Sequence, residues 1–224
     1  MPLSPLPHVR GLVLAAGSGS RMGRPKALLR PVGGGPSLVE RAVDVLLRGG
    51  CDGVTVVLGA AADEVSAALH DSFQESGPVE GVRCPDWAEG MGASLRAGLL
   101  ALTPRSDVEA VLISLVDLPD VGPDVVHRVG SGGPQVRRPH GGPGPSAALS
   151  AALSRAAYRG FPGHPTLIGR DHWAGVIAVA RGDRGARDYF ETHEPALVEC
   201  GDLATGRDVD SPDSARRLGL DASG

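Results

Sequence analysis

The stretch LVLAAGSGSRMGRPKALL, residues 12–29, decides the fold. An apolar run ends in glycines, and the glycines are followed by Arg21, Arg24, Lys26 and Arg30. A strand that breaks into a Gly-rich turn aims backbone N–H groups at the carboxyl edge of a sheet, where open α/β sheets hold their ligands. The chain uses 21 arginines and a single lysine, Lys26, and that lysine lies in this loop. A lysine is a compact point charge and an arginine a planar fork, so the two are not equivalent around a phosphate.

Three kinds of loop put glycines after a first strand. A dinucleotide-binding turn needs G-x-G-x-x-G, and Gly17, Gly19 and Gly23 are spaced one residue too far. A P-loop needs Gly-Lys followed by Ser or Thr, whereas Gly23 is followed by Arg-Pro-Lys-Ala. The third is a backbone cradle for a polyphosphate, with Arg21 and Lys26 adding full charges, as nucleotidyl transfer requires. The competing reading of the four cations is a solvated surface run.

Working outward, apolar runs alternate with helical periods. GLVLAAG, GVTVVLGA, GVRC and DVEAVLISLVDLP read as strands, with SLVERAVDVLLRGG, ADEVSAALHDS and SLRAGLLAL as the helices between them. This rhythm predicts a three-layer α/β/α domain with a mainly parallel mixed sheet. In the first helix Leu38, Val39, Ala42, Val43 and Leu46 form the buried face, and Gly49-Gly50 is the stop. The apolar run before Asp117 reads as a central strand buried on both faces. The Gly/Pro-rich segment 130–145 is expected to be a mobile loop, either a flap or a spacer. After it come an alanine-rich helix SAALSAALSRAAY, a strand HPTLIG, helices through WAGVIAVARG and ARDYFETH, and a strand ALVEC.

Composition narrows the function. At 224 residues a single domain, 1–224, is expected. A net charge of −4 and 3% aromatic residues argue against a nucleic-acid partner. Cys51, Cys84 and Cys200 form no CxxC pair and suggest a reducing cytoplasm. The start MPLSPLPHVR resembles no signal peptide, and no apolar run approaches the ~20 residues of a membrane span. A soluble, unprocessed protein is expected.

Two carboxylates stand out. Asp117 follows the buried strand, where it either meets a ligand or caps the next turn. Asp210 precedes a Ser211-Pro212 pair that supplies an N-cap and N1 for a helix, which leaves Asp210 to point elsewhere. Gly90 and Gly92 precede a helix opened by Ser94, so its free N–H groups face either a ligand or an ordinary serine cap. GDRGAR places Asp183, Arg184 and Arg187 near another helix start, for an anionic acceptor or for surface pairing.

The motif LAAGSGSRMGRPK resembles the signature of nucleotidyltransferases with the nucleotide-diphospho-sugar transferase fold, especially the molybdenum cofactor cytidylyltransferase group. The resemblance continues through CPDWAEGMGASLRAGL, SLVDLPDV, GFPGHPTLIGRDHW, RGDRGARDYF and DVDSPDSARRL. It implies that Leu14, Ala15, Ala16, Gly17 and Gly19 bind the nucleotide together with Gly92 and Ser94. It places Arg21 and Lys26 on the phosphates as the catalytic cations. Asp117 and Asp210 become the Mg2+ ligands, with Asp208 the substitute for the second, and His164 lies on the acceptor side. Cys84 departs from the asparagine common in relatives. Ala16, where guanine-using relatives tend to have glycine, is expected to narrow the pocket toward a pyrimidine.

The implied reaction joins the phosphate of a molybdenum pterin to the α-phosphorus of CTP and releases pyrophosphate. An anionic phosphate needs no general base, only alignment and charge neutralisation. GTP, or a sugar or polyol phosphate as acceptor, is the alternative within this class. A non-catalytic protein that delivers the cofactor to a molybdoenzyme and a nicotinamide dehydrogenase are the alternatives outside it.

Overall fold

A computed structural model describes residues 3–73, 79–132 and 149–221. Its elements are β1 (Val9–Ala15), α1 (Leu38–Arg48), β2 (Val54–Leu58), α2 (Ala62–Phe73), β3 (Val79–Arg83), α3 (Met91–Leu102), β4 (Ala110–Leu115), α4 (Pro123–Gly130), β5 (Leu153–Tyr158), β6 (Phe161–Gly169), α5 (Arg170–Val179), α6 (Arg187–Phe190), β7 (Ala196–Glu199) and α7 (Pro212–Arg217).

The seven strands form one sheet in the order β3-β2-β1-β4-β6-β5-β7. Every pairing is parallel except those made by β6, which runs antiparallel to both β4 and β5. The order turns back at β1, because β2 lies on one side of it and β4 on the other. That switch point leaves a crevice beyond the carboxyl ends of β1 and β4.

Helices cover both faces. On one face α1, α2 and α4 pack through Val39, Val43, Leu46, Val65 and Val126 against Val13, Val56 and Leu112. On the other, α3 and α5 pack through Leu95, Leu99, Trp173 and Val176 against Leu12, Val57, Val111 and Ile168. All of β1 is buried, as befits a strand covered twice.

The start of α1 is built locally. Ser37 caps the helix by accepting from the Glu40 N–H, and the Glu40 carboxylate accepts in return from the Ser37 N–H at 2.8 Å. Leu38, Val39, Ala42, Val43 and Leu46 are all buried, and Gly49 is the C-cap, as the sequence pattern required.

The alanine-rich helix is corrected by the structure. Residues 149–151 form one 3-10 turn, and Leu153–Tyr158 is strand β5, hydrogen-bonded between β6 and β7. Intrinsic helix propensity is a weak prior, and two flanking strands override it. Gly130, read as the start of the Gly/Pro loop, closes α4, and residues 133–148 lie outside the described residues.

Candidate active site

The crevice at the switch point is a cleft of about 450 Å³. The end of β1, through Leu14 and Ala15, and the Gly-rich loop after it, through Ala16, Gly17, Gly19 and Arg21, form one wall. Leu115, Val116 and Asp117 form the floor after β4, and Trp87, Met91 and Ser94 the opposite wall.

The loop keeps its shape through its glycines and its anchor. Gly19 has φ +66°, and a Cβ there would stand 1.9 Å from the Arg24 carbonyl oxygen, so only glycine fits. Met22 donates back to the Gly19 carbonyl at 2.7 Å. Beyond the turn, Met22 and Leu29 are buried in a small core with Leu38, Val209, Ala215 and Leu220. That core joins the loop to the C-terminal segment. Val209 donates its N–H to the Asp117 carbonyl at 2.9 Å, which brings the next residue, Asp210, across to the end of β4.

Ser211 caps α7, as its sequence position implied, and Asp210 points into the cleft. The Lys26 ammonium donates to Asp117 Oδ2 at 2.8 Å and to Asp210 Oδ1 at 2.7 Å. Three residues far apart in the chain therefore meet at one charge. Burial opposes the Lys26 charge, but its hydrogen bonds to the Asp117 and Asp210 carboxylates, and their charges, outweigh it and raise the lysine pKa. The same bond from Lys26, with the Arg21 charge assisting, holds Asp210 below the usual aspartate value. Asp208 goes the other way, raised by burial and by the neighbouring Asp210 charge. It does not line the cleft.

The donor set suits a divalent cation. Asp117 Oδ1 is buried with no hydrogen-bond partner, and its second oxygen and Asp210 converge on one cationic group. Magnesium and manganese take such carboxylates and complete their shells with waters and phosphate oxygens. Among the described residues no three His, Cys, Asp or Glu side chains gather into a protein-only metal cage.

The structure places three more of the expected residues. Ser94 does not open α3, whose N-cap is Gly90. It sits inside the first turn, buried on the cleft wall. Gly92 does not line the cleft: a Cβ there would lie 2.6 Å from the Arg181 backbone nitrogen, so the absence of a side chain lets the Arg181 backbone approach α3. His164 lies on β6 outside the cleft, with Nδ1 3.4 Å from the Ile113 carbonyl. Burial, then the charges of Arg155 and Arg187, lower its pKa to about 4.

Trp87 and Met91 also line the cleft, on the wall opposite the glycine loop. Their signal was Gly90 between them, which with φ +112° turns the chain so that both sides of the turn face the cleft.

The fold and the cleft define an α/β nucleotidyltransferase: a mixed sheet with a Gly-rich loop, one lysine and two separated aspartates at its switch point. Residues 11–197 match the MobA-like NTP transferase domain, and the chain belongs to that family. It is 39% identical over 217 residues to a protein named nicotine blue oxidoreductase from Paenarthrobacter nicotinovorans, covering 95% of this chain and 97% of that one. It is 32% identical over 122 residues to a probable molybdenum cofactor guanylyltransferase of Mycobacterium avium (strain 104), covering 53% of this chain and 54% of the relative. A Mycobacterium tuberculosis protein solved as a manganese complex superposes with a TM-score of 0.65 at 25% identity, covering 94% of this chain and 97% of that one. Among the described residues no helix is long and apolar enough to cross a membrane. Cys51, Cys84 and Cys200 are free and buried.

Proposed function

We propose that this chain, acting as a single cytoplasmic domain, transfers CMP from CTP to the phosphate of a molybdenum pterin and releases pyrophosphate, with Mg2+ as its metal. The observation that carries the reading is the meeting of Lys26, Asp117 and Asp210 beside the glycine loop.

In this reading the loop N–H groups and Arg21 hold the triphosphate, whose α-phosphorus then lies between the loop and the floor at Asp117. Lys26 lets go of one carboxylate and turns its charge to a phosphate oxygen, where it offsets the repulsion between two reacting anions. Asp117, with its unpaired oxygen, and Asp210 would hold the divalent metal, which would neutralise charge on the departing pyrophosphate. The manganese complex of a relative supports a metal of this kind. Ala16 and Ser94 lie on the nucleotide's side of the cleft, and Ala16 is the residue that favours a pyrimidine. The Mycobacterium avium relative, named a guanylyltransferase, makes GTP the alternative donor.

One observation favours a second reading: the relative matched over nearly its whole length is named an oxidoreductase. On that reading the cleft takes a redox nucleotide, and the loop cations serve its phosphates alone. One experiment separates the two. Pyrophosphate release is measured with Mg2+, molybdenum pterin and each of the four triphosphates, beside oxidation of NADH and NADPH with a dye acceptor. CTP-dependent pyrophosphate release supports transfer; nicotinamide oxidation without pyrophosphate release from any triphosphate overturns it.

A further inference from the structure

Next to the cleft, on the same side of the sheet, three basic side chains gather with no carboxylate paired to Arg155 or Arg187 among the described residues. His164 on β6 shares a face with Thr166 and Ile168, since strand residues alternate. Ile168 packs in the core that also holds Leu14 and Ala16, so this is the face of the nucleotide cleft. Arg155 on β5 stands opposite Thr166, and its guanidinium lies over the Phe190 ring, 5.7 Å from the centroid. Arg187 opens α6, four residues after the cleft residue Asp183. The carbonyl of Ile113 faces His164, and Leu115, two residues or about 7 Å further along β4, lines the cleft.

The charges in this cluster oppose one another. Burial and the Arg187 charge both lower the Arg155 pKa, and both arginines act the same way on His164. In the fold Arg155 uses only Nε, which donates to the Gly163 carbonyl at 3.2 Å. Neither Arg155 nor Arg187 has an ion pair among the described residues, whereas Arg184 beside them pairs with Asp188 and Glu191. Residues 133–148 contain no Asp or Glu, so that segment contributes no carboxylate either. A partly buried guanidinium facing other cations is costly unless an anion joins it. The two remaining guanidinium nitrogens form a fork that matches a phosphate, and the single N–H of a neutral His164 is on Nε2, able to donate to an anion, in the tautomer where Thr166 Oγ1 donates to Nδ1.

We infer that Arg155, His164 and Arg187 form an anion subsite beside the nucleotide cleft, and that it takes a phosphate monoester, the acceptor group. The assignment to the acceptor rests on the nucleotidyl-transfer reading; the anion site does not. The cluster lies past Leu115 from the glycine loop, so its phosphate approaches the α-phosphorus from the side away from Arg21.

The probe is inorganic phosphate, measured by equilibrium dialysis. An Arg21→Ala/Lys26→Ala background removes the triphosphate cradle, so the remaining binding reports on the cluster. Saturable binding in this background, weakened tenfold or more by adding Arg155→Gln or Arg187→Gln and largely kept by Arg155→Lys, is the expected result. Arg187 is exposed, so its variant separates lost binding from lost folding. No saturable binding in the background, or binding unaffected by Arg187→Gln, overturns the subsite. Binding of CTP with Mg2+ to the unaltered protein is measured separately. Its absence, with phosphate binding intact, sinks the nucleotidyl reading and leaves the anion site standing.

Discussion

The Lys26 ammonium stands 2.8 Å from Asp117 Oδ2, at the place where a metal held by Asp117 would put its own charge. With Asp210 at 2.7 Å on its other side, the lysine acts as the counterion of a carboxylate pair drawn from the ends of two distant segments. A compact, freely rotating ammonium can bridge two single oxygens and then turn to a phosphate with less rearrangement than a planar arginine fork, which gives the chain's sole lysine its reason. On the proposed reading a metal would share these two carboxylates with Lys26 and compete with its charge until a triphosphate took the ammonium.

Lys26→Ala and Asp117→Asn are each expected to lower turnover by more than tenfold without unfolding the domain. The two variants part company in metal binding. Without its lysine the carboxylate pair is uncompensated, so Lys26→Ala is expected to bind Mn2+ several-fold more tightly in the absence of nucleotide, whereas Asp117→Asn binds it more weakly. Electron paramagnetic resonance of free Mn2+ reads both. Equal metal affinity in Lys26→Ala and the parent would refute the competition.

The loop's geometry makes its own demand. Gly19→Ala places a Cβ against the Arg24 carbonyl and forces an L-residue into φ +66°, which costs about 1–2 kcal/mol from the left-handed conformation alone. The loop relaxes rather than the sheet, because Met22 and Leu29 anchor it only beyond the turn. Triphosphate binding is expected to fall tenfold or more by calorimetry, while the urea midpoint shifts little. A fully retained affinity would show that the turn is not the cradle.

Much of this was legible in residues 12–119, where each strand and helix carries its own hydrophobic period and no distant partner is needed to recognise it. The glycine loop, Lys26 and Asp117 could be read because their chemistry is local to one strand end. Asp210 was found through a local rule, the Ser211-Pro212 cap that left it unused, but its meeting with Lys26 depends on the Val209 bond to Asp117 and was not written in either segment. The alanine-rich stretch misled because Ala and Leu favour a helix, and only β6 and β7 on either side make Leu153–Tyr158 a strand. At Gly92 the structure shows a close backbone approach, and a Gly-rich helix start reads alike whether a phosphate or a backbone approaches it.

The α1 cap carries a pH dependence whose sign can be worked out. Burial pushes the Glu40 carboxyl up, but hydrogen bonds from Ser37 and Ser72 and the charge of Arg30 outweigh it, so its folded pKa lies below the usual glutamate value. A group depressed on folding contributes stability above its unfolded pKa of about 4.3, and that contribution is lost as pH falls through the folded value. Urea midpoints recorded from pH 3 to 7 are expected to fall on the acid side less steeply in Glu40→Gln than in the parent. Ser37→Ala removes the N-cap and is expected to cost about 1 kcal/mol at pH 7. Parallel pH curves for parent and Glu40→Gln would remove Glu40 from the account.

On the proposed reading base choice turns on Ala16. Its backbone is fixed, since its carbonyl accepts from Ala60 N–H at 3.0 Å, so the methyl cannot move aside by shifting the chain. Ala16 is 3% exposed and lines the cleft together with Leu14 and Ser94, so the methyl borders the space left for a base. A purine is larger than a pyrimidine by a fused ring, and one methyl in a closely fitted pocket is worth about 1–3 kcal/mol of discrimination, or roughly 10–200-fold. Ala16→Gly is accordingly expected to lower the preference for CTP over GTP by about tenfold, chiefly by strengthening GTP. The ratio of kcat/KM for the two triphosphates, measured by pyrophosphate release, tests it. An unchanged ratio places base selection on the Trp87 and Met91 side of the cleft instead.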